Sequence, residues 1–322
     1  MRMDRIAIKT SGLTKSFGRT KAVDSLDLEV RQGELFGLVG PDGAGKSTTM
    51  RLLTGIMRPT SGAAWVAGHP IPGGEELIKE RIGYMSQRFG LYEDLTVIEN
   101  IMFYADLYGV PARDRPPRIE RLLSFSNLAP FQDRLAGNLS GGMKQKLGLA
   151  CALIHTPEVL FLDEPTGGVD PVSRRDFWRI LYDLLREGVT ILVSTAYLDE
   201  AERCTRIGLM NEGRLLVVDE PLQVRKSLPL SMEEILTPDA RAARDIVGAE
   251  AGVESVTIYG DRLHVAFRDE GVVDRVVARL TSEGMTTTSR RAIVPSLEDV
   301  FIALTKLPAG TETGSGVSHG HR

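Results

Sequence analysis

Apolar positions along this chain fall into two periods. Leu35-Phe-Gly-Leu-Val39, Val159-Leu-Phe-Leu162 and Val189-Thr-Ile-Leu-Val-Ser194 are short continuous runs, as expected of strands buried on both faces. Over residues 96–108, 118–126 and 176–186 the apolar side chains instead recur at three- and four-residue spacing, which predicts helices with one buried stripe. Strand-length runs alternating with helical stripes predict an α/β domain built on a parallel sheet. Asp27-Leu-Glu-Val30 alternates like a half-buried strand and Gln32-Gly33 turns, so antiparallel strands are expected to precede that sheet. Ala64-Trp-Val-Ala67 and Ile82-Gly-Tyr-Met85 read as further short strands, and the Pro/Arg-rich residues 111–117 as a break between two helices.

The pattern changes after Gly213-Arg-Leu-Leu-Val-Val-Asp-Glu-Pro221, which reads as a closing hairpin and a proline-marked turn, with a linker near Ser227. From Leu230 the order is strand, helix (240–247), strand (255–259), a Gly260-Asp261 turn, strand (263–267), helix (272–280) and strand (286–294). This βαββαβ order predicts a small ferredoxin-like α+β domain over residues 229–305. Pro295-Ser296 opens a last helix over 297–304, with Ser296 and Asp299 at capping-box spacing. Residues 306–322 are rich in Gly and Ser and are expected to be a flexible tail, where His319 and His321 are solvated rather than metal ligands.

Composition narrows the class. With 322 residues, 42% hydrophobic and 25% charged, the chain has the balance of a soluble globular protein with room for one large domain and a smaller one. A net charge of −4 gives no general attraction to a polyphosphate backbone, so nucleic acid is not an expected partner. Cys151 and Cys204 lack metal-ligand spacing and read as small buried residues of a reducing compartment. No apolar stretch approaches the ~20 residues that cross a bilayer, and Met1-Arg-Met-Asp-Arg-Ile lacks the apolar core of a signal peptide. Any membrane role therefore requires a partner.

The chemistry is concentrated in three segments. Gly40, Pro41, Asp42, Gly43, Ala44, Gly45, Lys46 and Ser47 follow a predicted strand and open a helix at Thr48, with the spacing G-x-x-x-x-G-K-[ST]. Such a turn aims backbone N–H groups at a triphosphate, Lys46 reaches the outer phosphates, and Ser47 is placed to ligate magnesium. Asp163 and Glu164 end an apolar strand, where open α/β sheets place ligands. The first suits the magnesium shell, and the second suits activation of the water that attacks the γ-phosphate. Leu139-Ser-Gly-Gly-Met-Lys-Gln-Lys146 starts a helix behind a turn, with Ser140, Gly141 and Gly142 offering a hydroxyl and backbone donors to an anion or simply capping the helix.

Together with Asp163-Glu-Pro-Thr166, these segments resemble the ATP-binding cassette (ABC) family over about residues 6–226. The resemblance implies ATP and Mg2+ as ligands, with each ATP clamped between the P-loop of one cassette and the signature serine and glycines of a second. It also implies polytopic membrane subunits driven by that clamping, and a peripheral location on the cytoplasmic face of the plasma membrane. Residue by residue, Phe17 is similar to the aromatic that stacks on adenine, with a core phenylalanine as the alternative. Gln87 is similar to the glutamine that joins the metal shell, and Asp170 in Gly168-Val-Asp170 to the loop crossing the dimer seam or to a cap on the next helix. Two positions depart from the family pattern. Met143 replaces a common glutamine and leaves the signature donors free. Ala196 stands where the family ordinarily has a histidine that contacts the γ-phosphate, and alanine has no donor; Thr195 offers a hydroxyl nearby.

The region after residue 229 resembles the accessory segment of drug-exporter cassettes of the daunorubicin-resistance type, which implies export of a hydrophobic or drug-like compound. The expected function is thus the ATP-hydrolysing subunit of an ABC exporter, degenerate at Ala196 and paired with a like or unlike cassette. The alternative is a soluble ABC ATPase acting on a macromolecular complex, although no basic stripe or long coiled-coil insertion is seen. A P-loop kinase or GTPase would have no need of Leu-Ser-Gly-Gly.

Overall fold

The computed structural model describes residues 5–88, 90–227, 230–269 and 271–306. The tail expected over residues 306–322, with His319 and His321, lies outside the described residues except for Lys306. The chain divides into two compact units between Val218 and Asp219.

The first unit opens with β1 (Ile6–Phe17), β2 (Thr20–Arg31) and β3 (Leu35–Val39), followed by α1 (Lys46–Leu53), β4 (Ser61–Val66), β5 (His69–Ile71) and α2 (Glu75–Lys79). It continues through β6 (Ile82–Met85), α3 (Val97–Leu107), α4 (Arg115–Phe125), α5 (Gly141–Leu153), β7 (Val159–Asp163), α6 (Pro171–Arg186), β8 (Thr190–Thr195), α7 (Leu198–Ala201), β9 (Arg206–Asn211) and β10 (Arg214–Asp219). Strands β2-β1-β4-β5 form an antiparallel sheet, and β10-β9-β3-β8-β7-β6 form a second sheet that is parallel from β9 to β6. The apolar runs read in the sequence are its central strands, and every residue of β3, β7 and β8 is buried. Helix α1 packs between the two sheets, touching β2 and β4 on one side and β7 and β8 on the other. One core joins Ile8, Leu26 and Val30 of the antiparallel sheet to Phe36, Phe161 and Leu192 of the parallel one. The phosphate-binding turn ahead of α1 is thereby anchored at both flanks.

The expected break over 111–117 begins and ends earlier than its proline content suggests. Residues 108–114, with Pro111 and a 3-10 turn at Ala112–Asp114, separate α3 from α4, while Pro116 and Pro117 lie inside the first turn of α4. The N–H groups of a first helical turn have no intrahelical acceptor, so proline there forfeits no bond. Thr96 and Glu99 close a capping box on α3, and the buried Asn100 amide donates to the carbonyls of Tyr92, Leu95 and Thr96. That amide fixes the segment leading from β6 into α3.

The second unit contains α8 (Pro221–Lys226), β11 (Ser231–Leu236), α9 (Ala240–Gly248), β12 (Val253–Tyr259), β13 (Arg262–Phe267), α10 (Gly271–Ser282), β14 (Ser289–Ala292) and α11 (Leu297–Lys306). The sheet order β12-β13-β11-β14 is the ferredoxin-like one, with Ile235, Leu263, Val265 and Phe267 packed against Val247 of α9 and Val272, Val276 and Leu280 of α10. Strand β14 is shorter than the 286–294 expected, since its four residues are exposed on a sheet edge with one neighbour. Ser296 and Asp299 form the predicted capping box, the Ser296 N–H and Oγ donating to Asp299 Oδ2 at 2.9 and 2.7 Å and the Asp299 N–H donating to Ser296 Oγ at 3.1 Å.

In the first unit His155 stacks on Tyr108 with ring centroids 3.9 Å apart, and its Nε2–H donates to the Ile82 carbonyl at 2.8 Å. Burial holds its pKa below the ordinary histidine value. The unfolded chain therefore takes up a proton at this residue before the folded one does. Stability should hold above the unfolded histidine pKa of ~6.5 and fall as pH drops through and below it. Urea unfolding at pH 7.5 and pH 5.5 checks this: His155→Gln should show a smaller loss between the two pH values than the wild type.

Candidate functional site

The parallel register determines which side chains can meet. Val39 lies opposite Thr195 and Asp163 opposite Ser194, so the carboxyl ends of β3, β8 and β7 stand side by side, and β6 ends one strand further along. The turn 40–45, the pair Asp163-Glu164, Ala196 and Gln87 all leave from these ends, where ligands of open parallel sheets bind.

The turn admits only glycine at two points. A Cβ on Gly40 would sit 2.1 Å from the Met210 carbonyl oxygen, and one on Gly45 would sit 2.3 Å from the Ala22 carbonyl oxygen. Gly45 also has φ +103° at the N-cap of α1, a conformation open to glycine and costly to other residues. Pro41, Asp42 and Gly43 are exposed at the crest, whereas Ala44 is buried, its carbonyl accepting from the Gly213 N–H at 3.0 Å. Lys46 is buried and curls back over the turn, its Nζ donating to the Gly40 and Pro41 carbonyls at 2.8 and 3.0 Å and lying 3.1 Å from Glu164 Oε1. Thr48 is half-buried on the first turn of α1. Two of the acceptors of a lysine so held are neutral carbonyls, and an incoming polyphosphate would offer it stronger, charged ones.

Asp163 is the junction of the site. It is buried, and its Oδ1 accepts from Ser47 Oγ at 3.0 Å and from Ser194 Oγ at 2.6 Å. Ser194 Oγ in turn accepts from the Glu164 N–H at 3.0 Å. Glu164 has φ +50°, rare for a residue with a side chain and typical of strained functional positions. Its carboxylate lies between Lys46 and Gln87, whose Nε2 donates to Oε2 at 3.0 Å. The structure thus brings Lys46, Ser47, Gln87, Asp163 and Glu164 into one connected network. Ser194 was missed as a site residue; a hydroxyl ending an otherwise aliphatic buried strand was the available signal.

Other predicted residues lie elsewhere. Phe17 is 50% exposed at the end of β1, with Lys15 Nζ 5.4 Å above its ring, so it is not a core phenylalanine. Ser140 is exposed and caps α5, accepting from the Met143 N–H at 3.3 Å; a Cβ on Gly141 would meet no atom within 4 Å. Gly142 is packed against α6, where a Cβ would come within 2.4 Å of Ser173. Among the described residues no hydrogen bond joins these three to the phosphate turn. Asp170 caps α6 by accepting from the Val172 and Ser173 N–H groups at 3.1 and 2.9 Å, and the Ser173 amide above all holds its carboxyl below the ordinary range. Ala196 is exposed, and the hydroxyl that Thr195 offers at the same strand end is already engaged. It is buried, donating to Glu200 at 2.7 Å and accepting from the Tyr197 N–H at 3.0 Å, with no hydrogen left to offer.

Removing the hydroxyl in Ser194→Ala leaves one buried Asp163 lone pair without its donor and the Glu164 N–H with only the Ser194 carbonyl, at 3.2 Å. Steady-state nucleotide hydrolysis should fall by about tenfold, in line with the ~1–3 kcal/mol cost of an unmet buried polar group. In Gly45→Ala, where backbone blocks the new methyl, equilibrium binding of MgATP should weaken at least tenfold.

The model of the ABC transporter family matches residues 23–167. The chain is 43% identical over 307 residues to the probable multidrug ABC transporter ATP-binding protein YbhF of Escherichia coli, covering 94% of this chain and 52% of that protein. It therefore spans about half the length of that relative. It is 37% identical over 311 residues to the daunorubicin/doxorubicin resistance ATP-binding protein DrrA of Streptomyces peucetius, covering 94% of this chain and 93% of the relative. Among solved structures, the dimeric bacterial ABC transporter cassette MJ0796 matches with a TM-score of 0.61 and 26% identity over 66% of this chain and 98% of the other. From its P-loop, its Asp163-Glu164 pair and these relatives alike, the chain belongs to the ABC transporter ATP-binding family.

Proposed function

We propose that the chain is the ATP-hydrolysing subunit of an ABC exporter, working as one of two cassettes beneath separate membrane subunits. The observation that carries this is a division within the molecule. Lys46, Ser47, Asp163 and Glu164 are gathered into one site, while the exposed signature turn Ser140-Gly141 is joined to none of them. Each is half of a clamp that a second cassette completes, Ser140 and the open backbone at Gly141 serving the mate's nucleotide. The dimeric cassette among its structural relatives favours the same reading. The names of the relatives, multidrug transport for YbhF and drug resistance for DrrA, favour export of a hydrophobic or drug-like compound over a soluble ATPase acting on a macromolecular complex. Among the described residues no helix is long and apolar enough to cross a membrane, so the translocation path would belong to other chains on whose cytoplasmic face this subunit docks.

The residues present fit Mg2+. Ser47 Oγ and Asp163 Oδ1 are hard oxygen donors 3.0 Å apart, and the Gln87 side chain reaches the same network through its Nε2 bond to Glu164. Few protein ligands are needed, since this ion keeps waters and takes the rest of its shell from substrate phosphates. When bound, Mg2+ offsets the charge that develops on the transferred phosphoryl group. Lys46 holds the outer phosphates once released from the Gly40 and Pro41 carbonyls. Glu164 accepts the proton of the attacking water, its carboxylate being freed as Lys46 turns to the nucleotide. Phe17 stacks on the base.

Ala196 supplies no donor to the γ-phosphate, and loss of one preorganised donor slows phosphoryl transfer by roughly 100-fold while leaving binding nearly intact. The chain is therefore read as a slow cassette that lends Ser140 and Gly142 to an unlike mate, or as a slow self-paired one. Light scattering of the full chain with Glu164→Gln should show dimers in saturating MgATP and monomers when Lys46→Ala is added. A strictly monomeric Glu164→Gln protein, with candidate mate cassettes supplied, would overturn the clamp. Wild-type hydrolysis should be slow; brisk turnover abolished by Glu164→Gln would overturn the degenerate role of Ala196.

A further inference from the structure

Glu200 lies outside the nucleotide motifs yet is fully buried, at the centre of a second polar cluster behind the site. One carboxylate oxygen accepts from Thr166 Oγ1 and the other from Thr195 Oγ1, and Arg174 Nε of α6 stands 3.5 Å from the first in ionic contact. Each partner belongs to a different working segment. Thr166 is the pivot of the loop between Glu164 and Asp170: the Gly167 N–H turns back to the Glu164 carbonyl and the Val169 N–H to the Thr166 carbonyl, both at 3.2 Å. Thr195 ends β8, accepts from the Tyr197 N–H at 3.0 Å to shape the turn at Ala196, and receives the Gly40 N–H on its carbonyl at 3.2 Å. Arg174 extends from the helix that Asp170 caps and lies 4.4 Å from the Tyr197 ring centre.

A buried carboxylate is costly unless its lone pairs are met, and here they are met by groups on three segments, adding a buried tie to the Ser194–Glu164 bond and the Asp170 cap that also link them. We infer that Glu200 is a positioning residue for the hydrolytic reaction, locking the Glu164–Asp170 loop and the Ala196 turn into one unit so that the base and the γ-phosphate end of the site keep a fixed spacing. The inference rests on the proposed ATPase reading. In a chain with no histidine at 196, that spacing depends on these hydroxyls rather than on a direct contact to the phosphate. The amide of Glu200→Gln accepts at one end and donates at the other, so one threonine hydroxyl loses its acceptor and Arg174 keeps Asp199, 3.8 Å away, but loses its buried ionic contact.

Full-length wild type, Glu200→Gln, Thr166→Val and Thr195→Val should be compared in three measurements: MgATP affinity by equilibrium binding, steady-state hydrolysis, and amide hydrogen exchange without nucleotide. Glu200→Gln should lower kcat by about tenfold while the MgATP Kd moves less than about threefold, the split expected when positioning rather than binding is lost. Adding Thr166→Val to Glu200→Gln should lower kcat no further, because both act through one contact. Exchange should rise together over residues 164–170 and 195–199 in Glu200→Gln, and in Thr166→Val the rise should reach 195–199. Additive losses of kcat, a shifted melting temperature with unchanged kcat, or exchange confined to the mutated segment would each overturn the inference. Should Glu200→Gln fail to fold, Thr166→Val and Thr195→Val carry the same exchange test. A wild type that does not turn over MgATP would overturn the ATPase reading alone, with the exchange result still deciding the link.

Discussion

Asp163 Oδ1 receives hydroxyls from both Ser47 and Ser194, and through those two bonds a single buried oxygen ties the start of α1 to the ends of β7 and β8. The parallel register brings the three segments within reach, but the register alone would leave a buried carboxylate unpaired, at a cost of several kcal/mol. With both serines present the charge is met, the Glu164 amide is engaged by the same Ser194 hydroxyl, and the strained Glu164 backbone is held from its own N–H. Ser47, Ser194 and the Glu164 amide all lie within one or two hydrogen bonds of that oxygen.

Much of this was legible because it depends on spacing along one strand or turn. Continuous apolar runs located β3, β7 and β8, and glycine spacing located the turn at 40–45, since only a residue without Cβ fits against the Met210 and Ala22 carbonyls. The capping pairs Thr96–Glu99 and Ser296–Asp299 were likewise local; the second was read from the sequence. What stayed hidden depends on neighbours distant in the chain. Ser194 looks like the last residue of a hydrophobic strand until β7 is laid beside it. Thr195 looks like a free donor until Glu200, five residues on, folds back and takes its proton. The short β14 and the prolines inside α4 show the converse error, where composition overstated a strand and a break that position within the element decides.

The site also explains why a missing histidine is tolerated by the architecture. Ala196 sits on an exposed turn whose shape is set from behind by Thr195, Tyr197 and the carboxylate beneath them, so the residue at 196 has no part in holding the backbone. The side chain at 196 is free to be lost without disturbing the P-loop, whose Gly40 N–H donates to the Thr195 carbonyl.

Gly142 and Ser173 touch so closely that Gly142 cannot gain a Cβ without moving the Ser173 side chain. The exposed turn at Ser140 and the capped turn at Asp170 sit on the two helices joined at that contact, so they travel as one stiff wedge. A tilt of α5 would therefore have to carry α6 with it or open that contact, since close-packed atoms there leave no slack.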